Sequence, residues 1–240
     1  MKYINKDNLF DYAFLNTDTL KLPLRAVCVC FHGYTDATMF SASNEMARVL
    51  GERGIAWVHP YYSVWAWMSP SSCEFCEQVL DAVYEKLGAD KSVPFIVSGG
   101  SMGGLTALNY LVYGKRKAVG CALNCPVTDM AKTFEDKPTF RRAILSAHIE
   151  NPDPLDVVMR KYSPVRFAYR LPDIPYLFVY GERDEYFTNE QMPPMRAELD
   201  KYGTSYKLKV VPDMTHCDID GHPDAFSEYC DFIAECVNKK

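Results

Sequence analysis

Gly99-Gly100-Ser101-Met102-Gly103-Gly104 stands between the apolar run Val93-Pro94-Phe95-Ile96-Val97 and the segment Leu105-Thr106-Ala107-Leu108-Asn109-Tyr110-Leu111. The run reads as a strand and the segment as a helix, so a Gly-x-Ser-x-Gly falls on a strand-to-helix turn, the pattern of a nucleophile elbow. On so cramped a turn, a side chain two residues before or after the serine would collide with neighbouring backbone. Gly99 and Gly103 remove both collisions. The turn lifts the Ser101 hydroxyl clear of the sheet edge and aims the first amides of the following helix at the same point. Glycine-rich turns of this kind also hold nucleotides or merely close a crossover, so the surrounding chain must decide.

Outward from the turn, Ala26-Val27-Cys28-Val29-Cys30-Phe31 reads as a buried strand, and the spacing from Thr38 to Arg53 predicts a helix ending near Gly54. Ile55-Ala56-Trp57-Val58 follows as a strand. Val79, Leu80, Val83, Tyr84 and Leu87 recur at helical intervals in a helix that starts at Ser71 or Ser72 and stops at Gly88. After the elbow helix, Ala118 to Leu123, Tyr176 to Tyr180 and Lys207 to Val211 read as strands, and Pro223 to Val237 as the closing helix. Strands alternating with helices predict an α/β fold, a mainly parallel sheet covered on both faces. At 240 residues the chain reads as a single domain over 1–240. The stretch from about Val127 to Leu171 is longer than one crossover requires and predicts a small helical cap, the plainer alternative being a crossover helix with irregular surface.

The net charge of −5 argues against nucleic-acid and anionic-membrane surfaces and favours a small-molecule partner. Charges and amides interrupt the first eight residues where a signal peptide needs an apolar stretch, and no later window is apolar enough to span a bilayer. The expectation is a soluble, cytoplasmic protein; the sequence sets no oligomeric state. Nine cysteines is an odd count that suits buried thiols better than a disulfide framework. Cys73-x-x-Cys76 has redox or metal spacing but no second pair, and reads as part of a helix.

A serine hydroxyl attacks a carbonyl only with a base in reach and a group to orient that base. Past the end of one strand lies Tyr180-Gly181-Glu182-Arg183-Asp184, and past the last strand Met214-Thr215-His216. Both follow carboxyl ends of strands, the rim where Ser101 must lie. Asp184 is preferred to Glu182 and Glu185 for its spacing after the Gly181 turn. His59 and His148 precede the acid and His32 belongs to another motif, which leaves His222, on the approach to the final helix after Gly221, as the rival to the preferred His216. Donors for an oxyanion are expected from the Met102 amide and from the Tyr34 amide in Phe31-His32-Gly33-Tyr34-Thr35, where Gly33 lets the backbone close on the site.

The His32-Gly33-Tyr34-Thr35 loop, the Gly99 to Gly104 elbow, Gly181-x-x-Asp184 and His216 together resemble the α/β-hydrolase superfamily, over nearly the whole chain. The loop and elbow are similar to those of small esterases and of dienelactone-hydrolase-like or prolyl-oligopeptidase-like hydrolases. The resemblance implies an α/β-hydrolase fold with an eight-stranded sheet, one antiparallel strand near the amino end, and a Ser101-His216-Asp184 triad. A chain of this length has no room for the propeller of true prolyl oligopeptidases, which points away from endopeptidase activity.

The expectation is therefore a serine hydrolase cleaving a carboxylic ester of a small or aromatic substrate, with no metal and no organic cofactor. Amide or peptide hydrolysis and acyl transfer would use the same residues, and a hydrolase-fold ligand sensor without catalysis is the alternative from another class. Tyr61, Trp65 and Trp67 belong to an aromatic patch just past a strand end that either lines the substrate pocket or packs under the cap. Arg141 and Arg142 in the cap either meet an acidic substrate group or are solvated.

Overall fold

A computed structural model describes residues 3–238. Its strands are β1 (Ala13–Leu15), β2 (Ala26–Phe31), β3 (Ile55–Pro60), β4 (Phe95–Gly100), β5 (Gly120–Asn124), β6 (Tyr176–Gly181) and β7 (Tyr206–Val211). They form one seven-stranded sheet in the order β1-β3-β2-β4-β5-β6-β7. Only β1 runs antiparallel, against β3; every other pair is parallel. The eighth strand implied by the resemblance has no counterpart among the described residues. Ahead of β1 the chain turns through a short 3-10 helix, Leu9–Asp11, and buries Leu9 in the core instead of extending the sheet edge.

The helices are α1 (Glu45–Glu52), α2 (Pro70–Leu87), α3 (Met102–Tyr113), α4 (Met130–Asp136), α5 (Pro138–Ala147), α6 (Leu155–Lys161), α7 (Pro164–Phe167), α8 (Thr188–Lys201) and α9 (Pro223–Cys236). On one face of the sheet, α1 and α9 pack Leu50, Tyr229 and Ile233 over Cys28, Ile96 and Leu177. On the other, α2 and α3 pack Val79, Leu105 and Tyr110 over Val29, Val97 and Phe178. Alternation along each strand thus buries both faces, which is why the strands read as continuous apolar runs.

The helix ends follow local chemistry. Asn44 Oδ1 accepts from the Ala47 amide at 2.8 Å, so α1 begins at Glu45 rather than at Thr38. Ser69 caps α2 and Gly88 closes it in the left-handed conformation, φ 60°. Between β5 and β6 lie α4 to α7, a helical segment whose base is tied to α8 by one side chain. Gln191 Oε1 accepts from the Thr128 and Asp129 amides, both at 2.9 Å, and its Nε2 donates to Thr133 Oγ1 at 2.8 Å.

The elbow lies where chain order reverses: β3 sits on one side of β2 and β4 on the other. A crevice opens at such a switch point, beyond the carboxyl ends of the strands. Packing there is backbone against backbone. A Cβ on Gly103 would lie 2.0 Å from the Phe31 carbonyl oxygen, and one on Gly99 2.4 Å from the Gly103 carbonyl oxygen. Neither neighbour is a side chain able to swing away.

Gly103→Ala is expected to cost about 1–3 kcal/mol or more in urea denaturation, because the backbone itself must shift. Gly33→Ala, whose Cβ would meet its nearest atoms at 3.9 Å, is expected to stay within about 0.5 kcal/mol of the parent.

Candidate functional site

Ser101 sits between β4 and α3 with φ 54° and ψ −122°, a conformation that non-glycine residues rarely adopt. Its amide donates to the Asn124 carbonyl at 3.0 Å, and its carbonyl accepts from the Val127 amide at 3.1 Å, so β5 and the chain after it hold the turn. Strain of this kind persists only where the surroundings over-determine it.

His216 follows β7 in the Met214-Thr215-His216 loop, and Asp184 follows β6. The two loops meet because Gly181 lets them touch: a Cβ there would lie 2.0 Å from the Met214 carbonyl oxygen. His216 Nδ1 and Asp184 Oδ2 are 2.9 Å apart. The Asp184 side chain is fully buried, and its Oδ1 accepts from the Tyr186 amide at 2.8 Å. Tyr186 and Phe187 lie against the imidazole, with ring centroids at 4.9 and 5.7 Å. Burial alone would pull the His216 pKa down, but the hydrogen bond to Asp184, with Cys125 also beside the ring, raises it to about 9. A carboxylate that holds Nδ1 also fixes which nitrogen stays free.

Ser101 and His216 line one cavity of about 540 Å³, together with Gly33, Tyr34, Thr35, Asp36, Gly100, Phe140, Tyr186, Phe187 and Cys217. No hydrogen bond joins Ser101 Oγ to the imidazole among the described residues. Tyr34 lines the same cavity from the loop after β2, and Met102 opens α3 directly after the serine. Among the described residues neither amide donates to a protein acceptor. The Tyr34 loop is held by His32, which stacks on Tyr62 at 3.7 Å and sets its ring nitrogens 2.9 and 3.1 Å from the Gly33 and Tyr62 carbonyl oxygens. Burial pushes the His32 pKa down despite these contacts.

The aromatic wall differs from the expected one: Tyr61, Trp65 and Trp67 do not line this cavity. Trp67 is fully buried, and its ring centroid lies 6.1 Å from that of Tyr34 and 5.8 Å from that of Phe140, so it backs the wall. Tyr61 packs on the opposite side of the sheet, and Trp65 against the α2 side. The rings that do reach the cavity are Tyr34, Phe140 of α5, and Tyr186-Phe187. The latter pair stands directly after the acid at a strand end, a signal present in the sequence. Phe140 could not be placed without the path of the helical segment. Arg141 spends its guanidinium on the Phe134 and Glu135 carbonyls, and Arg142 is exposed away from the cavity.

The remaining histidines are elsewhere. Burial lowers both His59 and His148 to about 4, and His148 Nε2 lies 3.1 Å from the Trp67 carbonyl oxygen. His222 precedes α9 and does not line the cavity. Cys73 and Cys76 lie on α2, where burial pushes Cys73 up to about 11 and Cys76 well above its usual range. Two thiols do reach the site. The Cys217 amide donates to Cys125 Sγ at 3.3 Å, and Cys217 Sγ donates to the Asn124 carbonyl at 3.4 Å. Hydrogen bonds from Cys217 and His216 hold Cys125 down to about 6 against the effect of burial.

A seven-stranded, mostly parallel sheet with a strained serine turn and an imidazole-carboxylate pair at the same rim defines an α/β-hydrolase of the serine hydrolase class. The chain belongs to the prolyl oligopeptidase family, whose pattern it matches over residues 76–240. No curated protein matches it. Among solved structures it is similar to an acylaminoacyl peptidase in complex with Z-Gly-Gly-Phe-chloromethyl ketone, with a TM-score of 0.73 and 16% identity over 95% of this chain and 39% of that one. It is similar to a truncated carbohydrate esterase from gut microbiota, with a TM-score of 0.72 and 16% identity over 95% of this chain and 90% of the other. An S-formylglutathione hydrolase from Agrobacterium tumefaciens gives 0.67 and 16%, over 94% and 88%. The chain thus spans well under half the length of the peptidase. No described helix is long and apolar enough to cross a membrane.

Asp184→Asn is expected to move the His216 pKa down from about 9, read from the imidazole proton shifts in an NMR titration. The folded value lies above the free value of about 6.5, so the stabilising contribution is full below about pH 6.5 and is lost as pH rises through about 9. The stability gap between parent and Asp184→Asn should therefore be wide at about pH 6 and close by about pH 10, as denaturant titrations at both pH values would show.

Proposed function

We propose that this chain hydrolyses a carboxylic ester of a small or aromatic acid through an acyl-enzyme on Ser101. The observation that carries the reading is the meeting of a strained serine and a carboxylate-held imidazole on one cavity. Ser101 Oγ attacks the carbonyl while His216 takes its proton, and Asp184 keeps the imidazole in the tautomer that can accept it. The Tyr34 and Met102 amides receive the negative charge on the carbonyl oxygen. His216 then protonates the leaving alcohol, and water repeats the sequence to release the acid. Catalytic hydrogen bonds of this type often form only in the substrate complex, so the absence of a Ser101–His216 bond among the described residues is compatible with the reaction.

Tyr34, Phe140, Tyr186 and Phe187 give the cavity an aromatic lining suited to a compact acyl or aryl group. The helical segment over about 127–171 acts as a cap in this reading, because it delivers Phe140 to the wall. The substrate is a small molecule, and the chemistry needs no cofactor or metal, since nucleophile, base and anion site all come from the chain. The family assignment favours a second reading, cleavage of an amide or peptide bond at the same residues. In that case the Asp36 carboxylate at the cavity would face a free amino group.

A fluorophosphonate probe is expected to label the parent at Ser101, located by peptide mass spectrometry; an unlabelled folded protein would favour a ligand sensor. Ser101→Ala should lose turnover by on the order of 10⁶-fold, with its circular dichroism unchanged. Graded p-nitrophenyl esters against aminoacyl amides decide between the two readings, and faster amide cleavage would overturn the ester one. Because the base must be neutral, kcat/KM should rise with pH through about 9, the value at which Asp184 holds His216.

A further inference from the structure

The proposed reaction leaves two groups at the site unused. Cys125, directly after β5, is fully buried, and Cys217 lines the cavity beside Ser101. Both residues have left-handed backbone, φ 45° and 60°, which a cysteine adopts only where its surroundings hold it. The two sulfur atoms and a ring nitrogen of His216 all lie within 4.8 Å of one another.

We propose that Cys125, His216 and Cys217 form a binding site for a thiophilic divalent cation such as Zn²⁺, and that the ion inhibits the enzyme by taking the imidazole out of the reaction. Two thiolates and an imidazole are the donor set that suits zinc, with a fourth position left to water. Zn–S bonds of about 2.3 Å and Zn–N bonds of about 2.0 Å imply donor separations of roughly 3.5–3.8 Å in a tetrahedral site, so closure needs at most about 1.3 Å from side-chain rotation. Charge favours it too. The two thiol protons leave to solvent, two thiolates balance the dication, and the neighbouring Asp184 carboxylate further stabilises positive charge. Entry is through the cavity, which His216 and Cys217 both line.

Coordination disables the base through either nitrogen. Through Nε2 it removes the lone pair that would accept the Ser101 proton; through Nδ1 it displaces Asp184. Binding is independent of the proposed hydrolysis, whereas the inhibitory consequence rests on it.

The test titrates Zn²⁺ into reduced protein in competition with a chromophoric chelator, and Cd²⁺ while following the ultraviolet thiolate-to-cadmium absorption. One tight ion per chain is expected. Cys217→Ser and Cys125→Ser should each weaken it by at least about 10- to 100-fold, the loss that follows even from removing an outer-shell partner. Cys73→Ser, in the distant Cys-x-x-Cys, should leave affinity unchanged. Failure of the parent to bind, or affinity unchanged from the parent's in Cys125→Ser and Cys217→Ser, would overturn the site. Cys217 is only partly buried, so its variant remains informative should Cys125→Ser misfold. In the activity arm, Zn²⁺ should suppress ester hydrolysis and a chelator restore it; a saturated site with an unchanged rate overturns the inhibitory role. An inactive protein that still binds one ion through these thiols would refute the ester reading and leave the metal site standing.

Discussion

The site depends on one backbone contact, the first turn of α3 pressed onto the end of β2 with no side chain between them. With Gly103 set against the Phe31 carbonyl, the chain leaving β4 has only one way to turn, and it passes through the strained backbone of Ser101. The same contact brings the loop after β2 alongside, so that Tyr34 and Ser101 line one cavity. Gly181 under the Met214 carbonyl repeats the device at the next strand ends, where it joins the Asp184 and His216 loops. Three parts of the chain far apart in sequence are thus fixed by sterics before any polar interaction is counted.

Polar interactions then decide what the assembled groups can do. A carboxylate as buried as Asp184 is costly unless its oxygens are satisfied, and here the Tyr186 amide takes one and His216 the other. Tyr186 and Phe187 screen the pair from water, strengthening the hold on the imidazole. The cost of that arrangement is a ring drawn toward its charged form, with two thiols close enough to compete for it.

The sheet and its order were largely legible, because strands buried on both faces are continuous apolar runs and the helices between them carry recognisable caps. What escaped was set by something other than periodicity. α1 starts at Glu45, and not at Thr38, because the Asn44 side chain occupies the amide that an earlier start would need. β1 is only three residues long, too short for a pattern, and Pro193-Pro194 hides α8 because both rings face solvent and the helix continues beneath them. At the site, Ser101, Asp184 and His216 follow strand ends and could be located by counting. The cavity wall could not, because burial of Trp67 and approach of Phe140 are both decided by the fold of a segment whose sequence carries no strand to anchor it.

Gln191 ties that segment's base to α8 through three hydrogen bonds, and α8 begins directly after the loop carrying Asp184, Tyr186 and Phe187. The segment that delivers Phe140 to the cavity wall therefore shares a mechanical joint with the loop that holds His216. Under the proposed ester reading, a bulky group against Phe140 would load the same glutamine joint that braces the start of α8.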